Sequence, residues 1–270
     1  MFASVDLARR IEHAEAALTR ALASGVVKPP PLVRALAGGV SAVTRQGSPV
    51  NKIIGLGFAG TLDDGALAAV EADWRERDEP ARVELSTLAA PSLGAALTAR
   101  GYRLQGFENV LAMAIENRSS SARRDIAVEL VRDGDEAVWL DTVITGFAHP
   151  DGTGVTNEVI PREALAPIME DFRRAPSMTR CVASIDGQPA GAASVRFDAG
   201  IAQLCGAATL PRFRRRGVQR ALLDARLAWA RDHGCDIAVV TTAPGSQSQA
   251  NAQKQGFSLL YARAILVREW

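Results

Sequence analysis

The chain has 270 residues, 31 of them basic and 30 acidic, for a formal net charge of +1. That balance gives no general pull toward nucleic acid or an anionic membrane, and no run approaches the roughly 18 uninterrupted apolar residues of a membrane-spanning helix. With 47% hydrophobic residues, the chain can bury a sizeable core in one large or two smaller domains. Its three cysteines, Cys181, Cys205 and Cys235, cannot all pair and show no metal-ligand spacing. Charge in the first residues (Asp6, Arg9, Arg10, Glu12) breaks the apolar core of a signal peptide. The expectation is a cytoplasmic protein with no structural metal.

Residues 5–23 read as an amphipathic helix, ended by Gly25 and the Pro29-Pro30-Pro31 block. Strand patterns follow at 32–44 and 51–58. A helix starting at Thr61-Leu62-Asp63-Asp64 runs to about Arg77, with Thr61 and Asp64 as its capping residues. Next come a strand (82–87), a short helix (91–100), Gly101 and an apolar strand (102–115). The polar stretch 116–124 is the best linker candidate, dividing the chain into units at 1–120 and 125–270.

After it the pattern restarts. A strand (126–130) and helices at 135–145 and 161–174 precede strands at 179–185 and 190–197, joined by Asp186-Gly187, a dipeptide suited to a tight hairpin. A strand at 201–209 leads to a helix at 218–232, a strand at 236–242, a short helix at 248–255, and a last strand to Val267. A weak internal repeat is present. Gly101-Tyr102 and Gly256-Phe257 each follow a short helix and open an apolar strand, and each has a strand ending in hydroxyl residues upstream (Ser86-Thr87, Thr241-Thr242). Two unrelated β-α-β segments would also look this alike.

The informative segment is the turn Thr209 to Arg220. A strand ends, the chain passes through Gly217, and a helix begins that presents Val218, Leu222, Ala225 and Trp229 on one face. The first amides of a helix lack partners and act as anion donors. Arg212, Arg214, Arg215, Arg216 and Arg220 crowd an end that already carries about half a positive charge, an unfavourable placement unless an anion joins them. A diphosphate resolves the conflict; a solvated basic loop is the plain alternative.

Pro211 to Gln219 resembles motif A of the GNAT superfamily of N-acetyltransferases, a loop reading Arg/Gln-x-x-Gly-x-Gly/Ala. Arg214 and Gly217 fit, and Gln219 departs from the usual small residue. Ser248 to Phe257 resembles motif B, a short helix ending in Gly-Phe. The resemblance implies an α/β (α+β) fold: two GNAT-like domains, each a mixed, mostly antiparallel sheet flanked by helices, the N-terminal one degenerate. It implies acetyl-CoA as acyl donor, with Ala207, Ala208 and Thr209 beside the pantetheine arm. The pyrophosphate would fall to Arg214, Arg215, Arg216, Gly217, Val218, Gln219 and Arg220. Asn251 either contacts the coenzyme or serves the helix surface. The corresponding N-terminal loop, Gly57 to Asp64, has no arginine and two acids, so one coenzyme site is expected.

Many members place a tyrosine four residues before the motif B glycine, where Ala252 stands here. Tyr261 replaces it only if its hydroxyl faces the cleft. His149, with Asp151 or Glu158, is a candidate proton relay, against the alternative of a surface loop histidine. His233 suits the helix end beside Gly234, and Cys205 suits a small buried packing role. The reading is an N-acetyltransferase acting on a small-molecule or peptide primary amine, as monomer or homodimer. The alternative is a non-catalytic acyl-CoA sensor, and a third is a basic-loop interaction module.

Overall fold

The structure, a computed structural model, describes residues 1–115, 125–132, 134–150 and 161–270. The linker candidate at 116–124 lies outside the described residues. Helix α1 (Val5–Ser24) starts where the Ser4 hydroxyl accepts from the Leu7 amide. Its buried face runs through Ala8, Ile11, Glu12, Glu15, Leu18, Thr19 and Leu22, a helical stripe that carries two carboxylates into the interior.

The span 32–44 is not one strand but a hairpin of β1 (Leu32–Leu36) and β2 (Gly39–Val43). Ala37 and Gly38 at its tip both have positive φ, 45° and 82°, as a type I′ turn requires. Strand β3 (Lys52–Ile54) is shorter than expected, because Gly55 and Gly57 adopt φ of 78° and 87° and end the extended backbone. Helix α2 (Asp64–Glu76) is capped by Asp63, which accepts from the Ala66 amide at 2.7 Å; Thr61 and Asp64 do not cap it. Strand β4 (Ala81–Ser86), helix α3 (Pro91–Ala99) and strand β5 (Arg103–Ala114) complete the N-terminal half.

The second half runs β6 (Ala127–Leu130), α4 (Glu136–Ala148), α5 (Arg162–Arg174), β7 (Thr179–Ile185), β8 (Gln188–Asp198) and β9 (Ile201–Thr209). It continues with α6 (Val218–Asp232), β10 (Ile237–Thr242), α7 (Gln247–Lys254) and β11 (Ser258–Arg268). The β7–β8 turn is Asp186-Gly187, with φ of 51° and 72°. Helix α6 buries Val218 and Leu222 as expected, but the stripe then follows Arg226 and Ala230 rather than Ala225 and Trp229. The Arg226 guanidinium donates to the carbonyls of Leu222 and Ser194.

Among the described residues the strands form one eleven-stranded sheet in the order β1-β2-β3-β4-β11-β5-β10-β9-β8-β7-β6. Only β3/β4 and β9/β10 pair in parallel. The run β3-α2-β4-α3-β5 therefore repeats as β9-α6-β10-α7-β11. The last strand of each run crosses to the other half: β5 pairs with β10, β11 pairs with β4, and β5 and β11 pair with each other. Each half contributes a mixed, mostly antiparallel sheet, and the exchange joins the two edge to edge.

Side chains alternate across this sheet. Ile53, Val83 and Leu85 pack with α2 and α3, while Leu111, Ala202, Leu204 and Ala238 pack with Ala230 of α6 and Phe257 beyond α7. On the opposite face Val110, Ala112, Ile201 and Val239 meet Ala8 and Ile11 of α1. Helices α4 and α5 also cover that face, over Ala192. No described helix is long and apolar enough to cross a membrane.

Candidate active site

Strands β9 and β10 are held together at three positions, Ile201/Ile237, Ala202/Ala238 and Gln203/Val239. Beyond them β9 stays on β8 as far as Thr209, and β10 stays on β5 as far as Thr242. From Leu204 and Val240 onward the two facing edges have no strand between them. Such an edge leaves main-chain donors and acceptors open for a ligand. Gly206 and Ala207 oppose the single residue Ala193 in a bulge, with Gly206 at φ +59°; the extra residue re-aims the strand at this point.

Two close approaches hold the split in place. A Cβ on Gly146 of α4 would lie 2.5 Å from the Cβ of Ala208, and one on Gly191 of β8 would lie 2.6 Å from Val218 Cγ1. Glycine lets α4 press on the end of β9 and α6 on the neighbouring start of β8.

After β9 the chain makes one 3-10 turn at Pro211–Phe213 and reaches α6 through Arg215 and Gly217, both left-handed at φ 60° and 88°. For Arg215 that conformation costs roughly 1–2 kcal/mol. Left-handed residues in a short loop are how successive amides are gathered into an anion-binding concavity. Gly217 supplies no side-chain cap, so the amides of the first turn of α6 receive no acceptor from it.

The arginine crowd is sorted by the fold. Arg212 and Arg216 lie over the buried Phe213 ring at 4.8 and 5.5 Å, and Arg214 donates to the main-chain carbonyl of His149. Arg220 lies 3.8 Å from Asp224, and Arg215 is exposed.

The parted strands suit a polar, amide-bearing arm. The hydroxyls of Thr209 and Thr242, one at the end of each strand, are buried and make no hydrogen bond among the described residues, a costly state that a ligand would relieve. Asn251 sits on α7, exposed, its Oδ1 accepting from Gln247 Nε2 at 2.8 Å.

Where β9 and β10 separate, a cavity of about 200 Å³ opens on the α1 face. Its apolar wall includes Leu18, Leu22, Val50 and Phe172; its polar members include Glu15, Lys52, Gln203 and Thr241. Glu15, with a relative exposure of 9%, accepts from Gln203 Nε2 at 3.4 Å, and Gln203 Oε1 accepts from Arg196 at 2.9 Å. Lys52 pairs with Glu84 at 3.0 Å. Burial pushes the ammonium down, but Glu84, Glu108 and Glu15 more than reverse this, and its pKa is raised. Glu108 is pushed up, by burial first and then by Glu84.

None of these cavity residues was legible as functional from motif spacing. The available signal was two glutamates, Glu12 and Glu15, inside the apolar stripe of an amphipathic helix.

Other candidates are placed as follows. Tyr261 lies on β11, separated from β10 by β5, and donates to Glu12 at 2.8 Å. Its phenol is pushed far up, by burial and then by Glu12. It lies outside the cavity lining. His149 follows α4 with Nδ1 2.9 Å from the Thr145 carbonyl; Asp151 and Glu158 lie outside the described residues. His233 follows α6, stacked on Phe197 at 4.2 Å. Cys205 borders the cavity, and burial pushes its thiol up to about 12, which disfavours the thiolate a covalent role needs.

The matching N-terminal position is closed. A Cβ on Gly57 would lie 2.3 Å from Leu93 Cδ1, and one on Gly55 would lie 3.1 Å from the Glu12 carbonyl. Protein fills the space that the β9–β10 split leaves open.

The chain has the GNAT fold, shared with solved GCN5-related N-acetyltransferases. Residues 150–257 match the acetyltransferase (GNAT) family. A GCN5-related N-acetyltransferase from Kribbella flavida superposes with a TM-score of 0.64 at 16% identity, over 94% of this chain and 95% of that one. A tandem GNAT protein from the clavulanic acid biosynthesis pathway gives 0.61 at 13% identity, over 92% and 87%. A GCN5-related N-acetyltransferase from Sphaerobacter thermophilus gives 0.55 at 15%, over 76% and 67%. No curated protein sequence matches the chain.

Proposed function

We propose that the protein is an N-acetyltransferase that moves an acetyl group from acetyl-CoA to a primary amine. The observation that carries this reading is the parting of β9 from β10 between two unsatisfied threonine hydroxyls, next to the uncapped start of α6. Thr209, Thr242 and the open edge at Ala207 and Ala208 would hold the pantetheine arm. The amides from Arg215 to Arg220 would hold the pyrophosphate, with Arg214, Arg215 and Arg216 adding charge. Asn251 would reach the coenzyme through its Nδ2 amide, its Oδ1 being held by Gln247.

When bound, acetyl-CoA supplies an activated acyl carbon and a thiolate leaving group. The open main-chain donors of β9 would then stabilise charge developing on the acyl oxygen. We read the chain as two GNAT-like units, 1–120 and 125–270, of which only the second keeps a coenzyme site. The split is bordered by a buried carboxylate, Glu15 of α1, a candidate base outside the motif B helix, which favours an enzyme over a sensor. Its three cysteines are unpaired, in keeping with a reducing, cytoplasmic setting.

The test is thermal denaturation with acetyl-CoA, followed by thiol release across an amine panel. At one hundred-fold above the dissociation constant, the ligand should stabilise the fold by about 2.7 kcal/mol. No shift at millimolar acetyl-CoA would overturn the reading.

A further inference from the structure

We infer that the cavity at the β9–β10 split, walled jointly by the N-terminal half and the split strands, is the acceptor site, and that it takes a small primary amine with an apolar body and no carboxylate. This rests on the reading above and adds the substrate class to it. Three observations converge on one ligand.

The first is an underused buried carboxylate. Glu15 is about nine-tenths buried and borders the cavity. Its one hydrogen bond among the described residues is the long one from Gln203, at 3.4 Å. An ionised group in that setting calls for further donors, and an ammonium in the cavity would supply them.

The second is the sign of the charge around it. Among the described residues, Glu12, Glu15, Glu84 and Glu108 face this interior layer together with Lys52, the buried Arg263 and, beside Gln203, the buried Arg196. Lys52 is held by Glu84 at 3.0 Å, and Arg263 lies 2.8 Å from both Glu12 and Glu108. Arg196 pairs with Asp198 at 3.1 Å, the other two cations are committed to Glu84, Glu12 and Glu108, and Glu15 is the carboxylate of the four that makes no ion pair among the described residues. A ligand cation reduces that imbalance, whereas a ligand carboxylate adds to it.

The third is the wall. Leu18, Leu22, Val50 and Phe172 present hydrocarbon, and a volume of about 200 Å³ suits a compact body. A sugar would leave its hydroxyls unpaired against these side chains.

In the reaction an ammonium R–NH₃⁺ gives one proton to Glu15. The freed nitrogen forms the C–N bond as the C–S bond breaks, and a second proton leaves with the thiolate as thiol. The third stays on the amide nitrogen, and Glu15 returns its proton to water.

The experiment is calorimetric titration of the full chain, without coenzyme, with 2-phenylethylamine, 2-phenylethanol and phenylalanine. The amine should bind at least tenfold more tightly than either analogue. Glu15→Gln should abolish that advantage and lower amine-dependent thiol release at least a hundred-fold, while keeping the acetyl-CoA thermal shift. Leu18→Trp, which fills the cavity while leaving the Glu15 carboxylate in the sequence, should weaken the amine at least tenfold. Equal binding of all three compounds, absence of amine binding, or amine binding unchanged in both variants would overturn the inference. Amine binding without any acetyl-CoA shift would leave the amine site standing and overturn the transferase reading alone.

Discussion

Single residues set the geometry of this site through where they omit atoms. Gly217 turns the backbone at φ 88° where the uncapped amides of α6 begin. Gly217→Glu adds strain and a negative charge where a diphosphate would lie. We expect loss of the acetyl-CoA thermal shift with little change in far-ultraviolet circular dichroism; a full shift would place the coenzyme elsewhere. Gly146→Ala tests the opposite side of the split. Its Cβ would meet Ala208 Cβ at 2.5 Å, and relief requires movement of α4 or the end of β9. The expected cost is about 1–3 kcal/mol by urea denaturation, with a parallel rise in the acetyl-CoA dissociation constant. The crowding of the arginines that the sequence implies is relieved by the fold. Phe213, the His149 carbonyl and Asp224 take up cations that, in sequence, all press on one helix end.

At the scale of elements, the pairing of β11 with the N-terminal half has a titratable signature. Glu71 of α2 binds Arg100 after α3 at 2.8 Å and Arg268 of β11 at 2.7 Å. Burial pushes its carboxyl up, but the hydrogen bonds from Arg100 and Arg268 outweigh that and hold it below the ordinary range. A carboxylate depressed in the folded state adds stability that is present above the unfolded value, about 4.3, and is lost as pH falls through the folded value. Glu71→Gln should therefore lower Tm at pH 7 and flatten the loss of Tm between pH 5 and about 3. An unchanged acid limb would show that Glu71 does not carry it. Element positions were largely legible in sequence because apolar periodicity and glycine or proline stops are local. Two were misjudged for local reasons as well: the Ala37-Gly38 turn hid a hairpin inside one strand pattern, and Gly55 and Gly57 cut β3 short.

For the whole molecule, the exchange of β5 and β11 makes each half depend on the other. Without β11, β4 loses its partner on one edge, and without β5, β10 does. Exposed apolar edges pair promiscuously. Residues 1–115 or 125–270 expressed alone should therefore aggregate or remain unfolded, while co-expression should rescue both. Two soluble monomers by size-exclusion chromatography would refute this. The buried layer between α1 and the sheet, Glu12 and Glu15 against Arg263 and the neighbourhood of Lys52, likewise draws on both halves.

The division between sequence and structure follows the range of the forces involved. Helix periodicity, turn glycines and a cationic helix start are local, so sequence alone placed most of the elements, the arginine-bearing turn before α6 and the resemblance of the second half to the GNAT family. Strand exchange depends on which edge finds which partner across more than a hundred residues, and no local pattern encodes that choice. The same holds for Glu15: on the helix it is a polar interruption in an apolar face, and only packing of α1 over the β9–β10 split brings it to the cavity. Tertiary structure decided the cavity because its lining, from Glu15 to Thr241, is assembled from residues far apart in the chain.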